Sequence, residues 1–106
     1  MPKMMIKASY NPEGARGLLK EGGTGRVSAV RRLIEGMGGR VESFYFAYGE
    51  TDAYLIVDMP DETSGLAVSM AVNASGAVRL AMTPLITPEQ VDAACKKTVD
   101  YKAPGA

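Results

Sequence analysis

Gly22-Gly23-Thr24-Gly25-Arg26 stands just ahead of a run of helical periodicity, with Lys20 two residues upstream. Glycines at a helix start leave backbone amides open, and the helix end adds partial positive charge. Lys20 and Arg26 add two full charges, so this is the chain's best place for an anion or a carboxylate. No Walker Lys-Ser/Thr pair follows and the GxGxxG spacing is absent, so the loop does not specify a nucleotide. Asp52 and Asp58 form a second group, at even spacing along one strand with Glu50 nearby. Paired carboxylates can exchange protons or hold a divalent cation. The simpler reading gives them to turns: Asp52 would accept amide bonds from Gly49 to Thr51, and Asp58 would open the acidic turn at Pro60 and Asp61. Tyr10, Tyr45, Tyr48 and Tyr54 are polar-tipped aromatics in or beside strands. They either line a pocket or pack where subunits meet, a setting that favours tyrosine.

The chain has no histidine, which removes Ser-His-Asp and Cys-His catalysis. Cys95 is the single cysteine, so no intrachain disulfide forms and no zinc site is expected. With Val91, Ala94 and Thr98 it lies on the inner stripe of a helix, and it reads as a small buried hydrophobe with an unreactive thiol. Neither a metal nor a cofactor is expected.

The elements that must position these residues follow from periodicity. Met4 to Tyr10 alternates as a strand, with Met4, Ile6, Ala8 and Tyr10 on one face. Glu13 to Lys20 is a short helix weakened by Gly14 and Gly17. After the flexible break at Glu21 to Gly25, Thr24 caps a helix on which Val27, Val30, Leu33, Ile34 and Met37 share a face, and Gly38-Gly39 supplies a left-handed stop. Arg40 to Tyr48 and Asp52 to Asp58 form a hairpin. A helix capped at Asp61, Thr63 or Ser64 runs to about Ala74; it is apolar nearly all round and should be the more buried of the two main helices. Val78 to Leu85 is the last strand. Thr87, Pro88 and Gln90 are a complete helix start.

The order β, α, β, β, α, β, α is the split βαβ pattern, an α+β ferredoxin-like βαββαβ sandwich with a C-terminal helix. Right-handed crossovers set an antiparallel sheet in the order 4-1-3-2 with both main helices on one face. Phe44, Tyr45, Phe46, Tyr54, Leu55, Ile56 and Val57 cannot all face those helices. The other sheet face is therefore left apolar, and a second copy is the obvious cover.

Length and composition bound the rest. The 106 residues make one domain, residues 1–100, with a tail at 101–106. Hydrophobic residues are 46%, which supports a packed core. Twelve basic and twelve acidic side chains give no net charge, against the basic excess that nucleic-acid binding needs. No apolar run reaches the roughly 18 residues of a membrane span, and Met4 to Ile6 is too short for a signal peptide. A cytoplasmic protein with neither nucleic acid nor membrane as partner is the expectation.

The segment from Phe44 to Asp61 resembles the core of the GYD domain family, and the similarity extends from about Met4 to Val99. Gly14 to Gly23, Ala71 to Gly76 and Leu85 to Glu89 are similar to a subgroup of that family. The naming triplet departs: Gly49-Glu50-Thr51-Asp52 carries Thr where the signature has Tyr, so no role of that ring carries over. The resemblance implies a small ferredoxin-like domain of the dimeric α/β-barrel type and brings no settled biochemical activity.

Three functions compete on these grounds. One is a homo-oligomeric small-ligand-binding or assembly module without catalytic machinery. Another is a cofactor-independent oxygenase or isomerase of the dimeric α/β-barrel type, a fold-level analogy. The last is an anion- or nucleotide-responsive regulator. A ligand, small and anionic or apolar, is expected where the first strand ends near the glycine loop and the hairpin, at Tyr10, Lys20, Gly23, Arg26 and Asp52.

Overall fold

A computed structural model describes the whole chain, Met1 to Ala106. The elements run β1 (Lys3–Tyr10), α1 (Pro12–Glu21), α2 (Gly23–Gly36), β2 (Arg40–Phe46), β3 (Ala53–Asp58), α3 (Glu62–Ala74), β4 (Val78–Leu85) and α4 (Pro88–Cys95). The four strands form one sheet in the order β2-β3-β1-β4, antiparallel throughout. The order read in reverse is the 4-1-3-2 set by the sequence, and the α+β, ferredoxin-like arrangement holds.

Alternation decides which side of the sheet each residue takes. Met4, Ile6 and Ala8 of β1 are buried with Ala53, Leu55 and Val57 of β3. Ile34 of α2 and Val68 of α3 close over them, with Val41, Met59 and the half-buried Phe44, Leu80 and Met82 completing the core. A register shift between Val41 and Ser43 bends β2 against β3. This bulge lets Val41 and Phe44, three residues apart, both reach the core.

The glycine pair after α2 ends the helix as a Schellman motif. Gly38 takes φ +83°, its amide donates to the Glu35 carbonyl at 2.9 Å, and the Gly39 amide donates to the Ile34 carbonyl at 2.9 Å. At its other end α2 departs from the reading above. Gly22, at φ +81°, already caps it, and the helix begins at Gly23 with no side-chain cap. The glycine stretch is thus a one-residue joint between α1 and α2 rather than a flexible loop, because the positive φ at Gly22 completes the turn there.

The nearly all-round apolar α3 buries only Gly65 and Val68. Leu66 and Met70 remain 59% and 63% exposed. One sheet packs one side of a helix, and no second layer lies beyond it. Strand β2 stops at Phe46, two residues before Tyr48, which is fully exposed. On the sheet face away from the helices, Tyr45 and Tyr54 sit opposite each other across β2 and β3. Both are exposed, and Met5, Ile56 and Leu85 are only half-buried.

Helix α4 stands clear of this body. It begins as the sequence indicates, with Thr87 and Gln90 in a reciprocal capping box, but no residue of it is buried. Cys95, placed by its stripe on a packing face, is exposed instead. The stripe is real, but the surface it would pack against is missing from its own chain. The Cα radius of gyration is 17.0 Å, against about 13 Å for a compact chain of this length.

Candidate functional site

Three adjoining hollows meet at Tyr10, the last residue of β1. A cleft of about 350 Å³ runs between Leu18 of α1, Gly23 at the start of α2, Phe46 and Asp52. A groove of about 510 Å³ continues past Glu13, Glu21, Arg26 and Val78. Behind both, between the sheet and the helices, lies a small cavity of about 40 Å³ whose walls include Val30, Phe44, Leu80 and Arg26. The two outer hollows are the size of ordinary ligand sites. The inner one holds little more than a water molecule.

Each side chain arrives for a local reason. Asn11 caps α1 through its side chain on the Gly14 amide at 2.8 Å and bonds the Gly76 carbonyl at 2.6 Å, which fixes α1 against the start of β4. That turns Leu18 toward Tyr10. The tight joint at Gly22 then sets α2 across the sheet, and Arg26, one turn in, points at the inner cavity. Phe44 and Phe46 pack with ring centroids 5.0 Å apart and planes tilted by 48°, and form the far wall.

Arg26 is the unusual member. Its Nε is buried and has no hydrogen-bond partner, and none of the chain's three ion pairs involves it. A buried donor without a partner forfeits its desolvation cost, of order 1–3 kcal/mol. Glu21 borders the same groove without closing on Arg26.

Of the residues proposed from sequence, Tyr10, Gly23 and Asp52 line one cleft, and Arg26 joins Tyr10 in the groove and the inner cavity. Lys20 is exposed and lines none of these three hollows. Asp52 is held differently from the turn reading. Its Oδ2 accepts from the backbone amide of Tyr10 at 2.8 Å, while its own amide donates to the Ala8 carbonyl at 2.9 Å. The β1–β3 ladder ends at Ala8 and Ala53. The Tyr10 amide therefore lacks a strand partner, and the Asp52 carboxylate supplies one. Asp52→Ala should cost about 1 kcal/mol by orphaning that amide, and Glu50→Ala, at an exposed turn, should cost almost nothing. Urea melts of the two variants check this; equal midpoints would remove the structural role of Asp52.

Asp58 does not partner Asp52, since the two carboxylates lie at opposite ends of β3. Nor does it serve the acidic turn. It is buried and accepts from Arg40 Nη2 at 2.8 Å and Lys3 Nζ at 3.0 Å; Lys3 also donates to Glu42 Oε1 at 2.7 Å. Arg40 first and Lys3 second hold the Asp58 carboxyl below the ordinary aspartate range. Glu42 and then Asp58 hold the Lys3 amine above its ordinary value. Sequence reading missed this row because it depends on register: Lys3 and Arg40 both pair with Asp58 across neighbouring strands. Asp61 takes the helix cap of α3 instead, accepting from the Ser64 amide at 2.7 Å, which lowers its own carboxyl.

Leu18 and Phe46 were not singled out as site residues, and nothing in their spacing marks them. Asn73, near the end of α3, pairs with both backbone groups of Leu80, donating to its carbonyl at 3.0 Å and accepting from its amide at 2.8 Å. No cluster of three or more His, Cys, Asp or Glu side chains forms, and no helix is long and apolar enough to cross a membrane.

A family model described as the GYD domain matches residues 5–95 of the chain. Comparison with curated proteins and with solved structures gives no match.

Proposed function

The chain belongs to the GYD domain family, and from that premise we propose that it is a homo-oligomeric module binding a small amphipathic anion at the Tyr10–Arg26 hollows. The unpartnered buried Nε of Arg26 carries this reading. A guanidinium offers donors in a planar fork that suits a carboxylate or phosphate. Here one donor is buried away from water, in a side chain that shares the lining of the inner cavity with Val30, Phe44 and Leu80. A ligand with a carboxylate for Arg26, a polar contact at the Tyr10 hydroxyl and an apolar body along Leu18 and Phe46 matches these four residues, with the carboxylate held to the Arg26 side of the groove, away from Glu13 and Glu21. The first-turn amides of α2 and the half-positive end of that helix favour the same sign of charge. Asp52 contributes by holding Tyr10 in place.

The size of the outer hollows sets the scale of the ligand. Organic acids with a short aliphatic or single aromatic body are of that scale.

Arg26→Met separates this from a structural arginine. It keeps an unbranched apolar stem as far as the position of Nε and removes the unpaired donor with the rest of the guanidinium, so the free protein should be as stable as wild type or slightly more so. A panel of aliphatic and aromatic carboxylates, with inorganic phosphate alongside, should raise the melting temperature of wild type through binding to the folded state alone. The same panel should leave Arg26→Met unshifted and shift Lys20→Ala as it shifts wild type. Equal shifts in Arg26→Met and wild type, or no shift from any acid, would sink the proposal.

A further inference from the structure

Every residue from Ile86 to Ala106 is exposed, α4 included. A helix of eight residues on its own is marginal in water. Yet α4 has a complete capping box and an apolar stripe of Val91, Ala94 and Cys95 at helical spacing. Such a stripe has a use only if it is covered. Just Ile86 and Thr87 separate β4 from α4. The Thr87 amide donates to Gln90 at 2.9 Å and the Gln90 amide to the Thr87 hydroxyl at 3.1 Å, so the helix is firmly started right after the strand.

Surface area gives the scale of what must cover it. The chain exposes 7478 Å². A compact monomer of the same mass, 11.2 kDa, exposes roughly 5,700 Å². The surplus is about 1,800 Å² per chain. Two chains together then carry a surplus of about 3,600 Å², which lies within the range that permanent dimers bury. The body supplies a matching deficit, since the sheet face with Tyr45, Tyr54, Met5 and Ile56 has no second layer.

The geometry points to an arm-exchanged dimer. A second copy of this chain covers the open sheet face with its own. Each Ile86–Ala106 arm crosses to lie on the partner, with Val91, Ala94 and Cys95 turned inward. Two-fold symmetry satisfies both arms and both faces at once, and closes the assembly at two. The inference rests on the homo-oligomeric part of the proposed function and is independent of the ligand site at Arg26.

The thiol of Cys95 reports on the arm directly, since it is exposed in the single chain and covered in the exchanged pair. The test uses the full chain. Light scattering at micromolar concentration should give twice the chain mass. Ellman's reagent should label Cys95 at least about tenfold more slowly than in the urea-unfolded chain, with full reactivity returning on dilution to monomer. Val91→Asp should yield a monomer with an openly reactive thiol. Its far-UV circular dichroism should match wild type, because Val91 is exposed in the single chain. A monomer with either thiol behaviour, a dimer whose thiol reacts freely, or a Val91→Asp protein that stays dimeric and protected would each overturn the exchange. Loss of carboxylate binding bears on Arg26 alone, so the two proposals fail separately.

Discussion

Gly39→Ala should be among the most destabilising single-methyl additions this chain can receive, at about 3 kcal/mol, or on the order of 15 °C in melting temperature. A Cβ built on Gly39 would sit 2.6 Å from the Asp58 carbonyl oxygen and 3.0 Å from both Ile34 Cγ2 and Met59 Sδ. The first of these is strand backbone, held in the ladder. Ile34 and Met59 are among the most deeply buried side chains in the protein. None can yield cheaply in a close-packed core. Gly38→Ala is the informative contrast. Gly38 has room, its nearest foreign atom lying 3.5 Å from a built Cβ, but its backbone is left-handed at φ +83°. An alanine there bears the left-handed penalty alone, of order 1 kcal/mol. Thermal melts of the two variants should therefore differ severalfold in effect, with Gly39→Ala the worse. Equal losses would show that the α2–β2 joint is limited by backbone conformation rather than by space.

Asp58→Asn should lower stability at neutral pH by about 2 kcal/mol, since one carboxylate there answers two cations. The loss is no larger because the Lys3 and Arg40 side chains are 38% and 69% exposed and can turn back to water. The effect has a pH signature. The folded-state pKa of Asp58 lies below its ordinary value. Its contribution is thus complete above the unfolded value of about 3.9 and is lost as the pH falls through the folded one. Lys3 works in the opposite sense. Its pKa is raised, so its contribution is complete below its ordinary value and is lost as the pH rises through the folded one. Urea titrations from neutral to acid pH should show wild type losing stability faster than Asp58→Asn. Asp61, lowered by its helix cap, leaves a residual slope in both. Parallel curves would mean that the cation row contributes nothing.

Much of the fold was legible because it rests on local rules. Alternation in Met4 to Tyr10 gave the central strand, Gly38-Gly39 gave a helix stop that proved to be a full Schellman motif, and Thr87 to Gln90 gave a capping box bond for bond. The site was legible in part for the same reason. Tyr10, Gly23 and Asp52 converge because the chain's order brings the end of β1, the start of α2 and the start of β3 to one end of the sheet. What sequence could not supply was register and depth. The partners of Asp52 and Asp58 lie some forty to fifty-five residues away in the chain for Tyr10 and Lys3, and only the pairing of strands reveals them. Depth explains Cys95. A stripe states which side of a helix is apolar; it does not state whether the same chain provides the surface beneath.

Asn73 has a consequence for what this sheet cannot do. Strand β4 is an edge, and an edge is normally an invitation to further strands. By bonding both the amide and the carbonyl of Leu80, the Asn73 side chain mimics the next strand for the length of one residue. Farther along, Pro84 has no amide to offer. A stray β-segment arriving at that margin meets a plug and a blank where it needs a repeating row of partners. Growth of the sheet into ribbons or fibrils along β4 is therefore interrupted at Leu80 and again at Pro84.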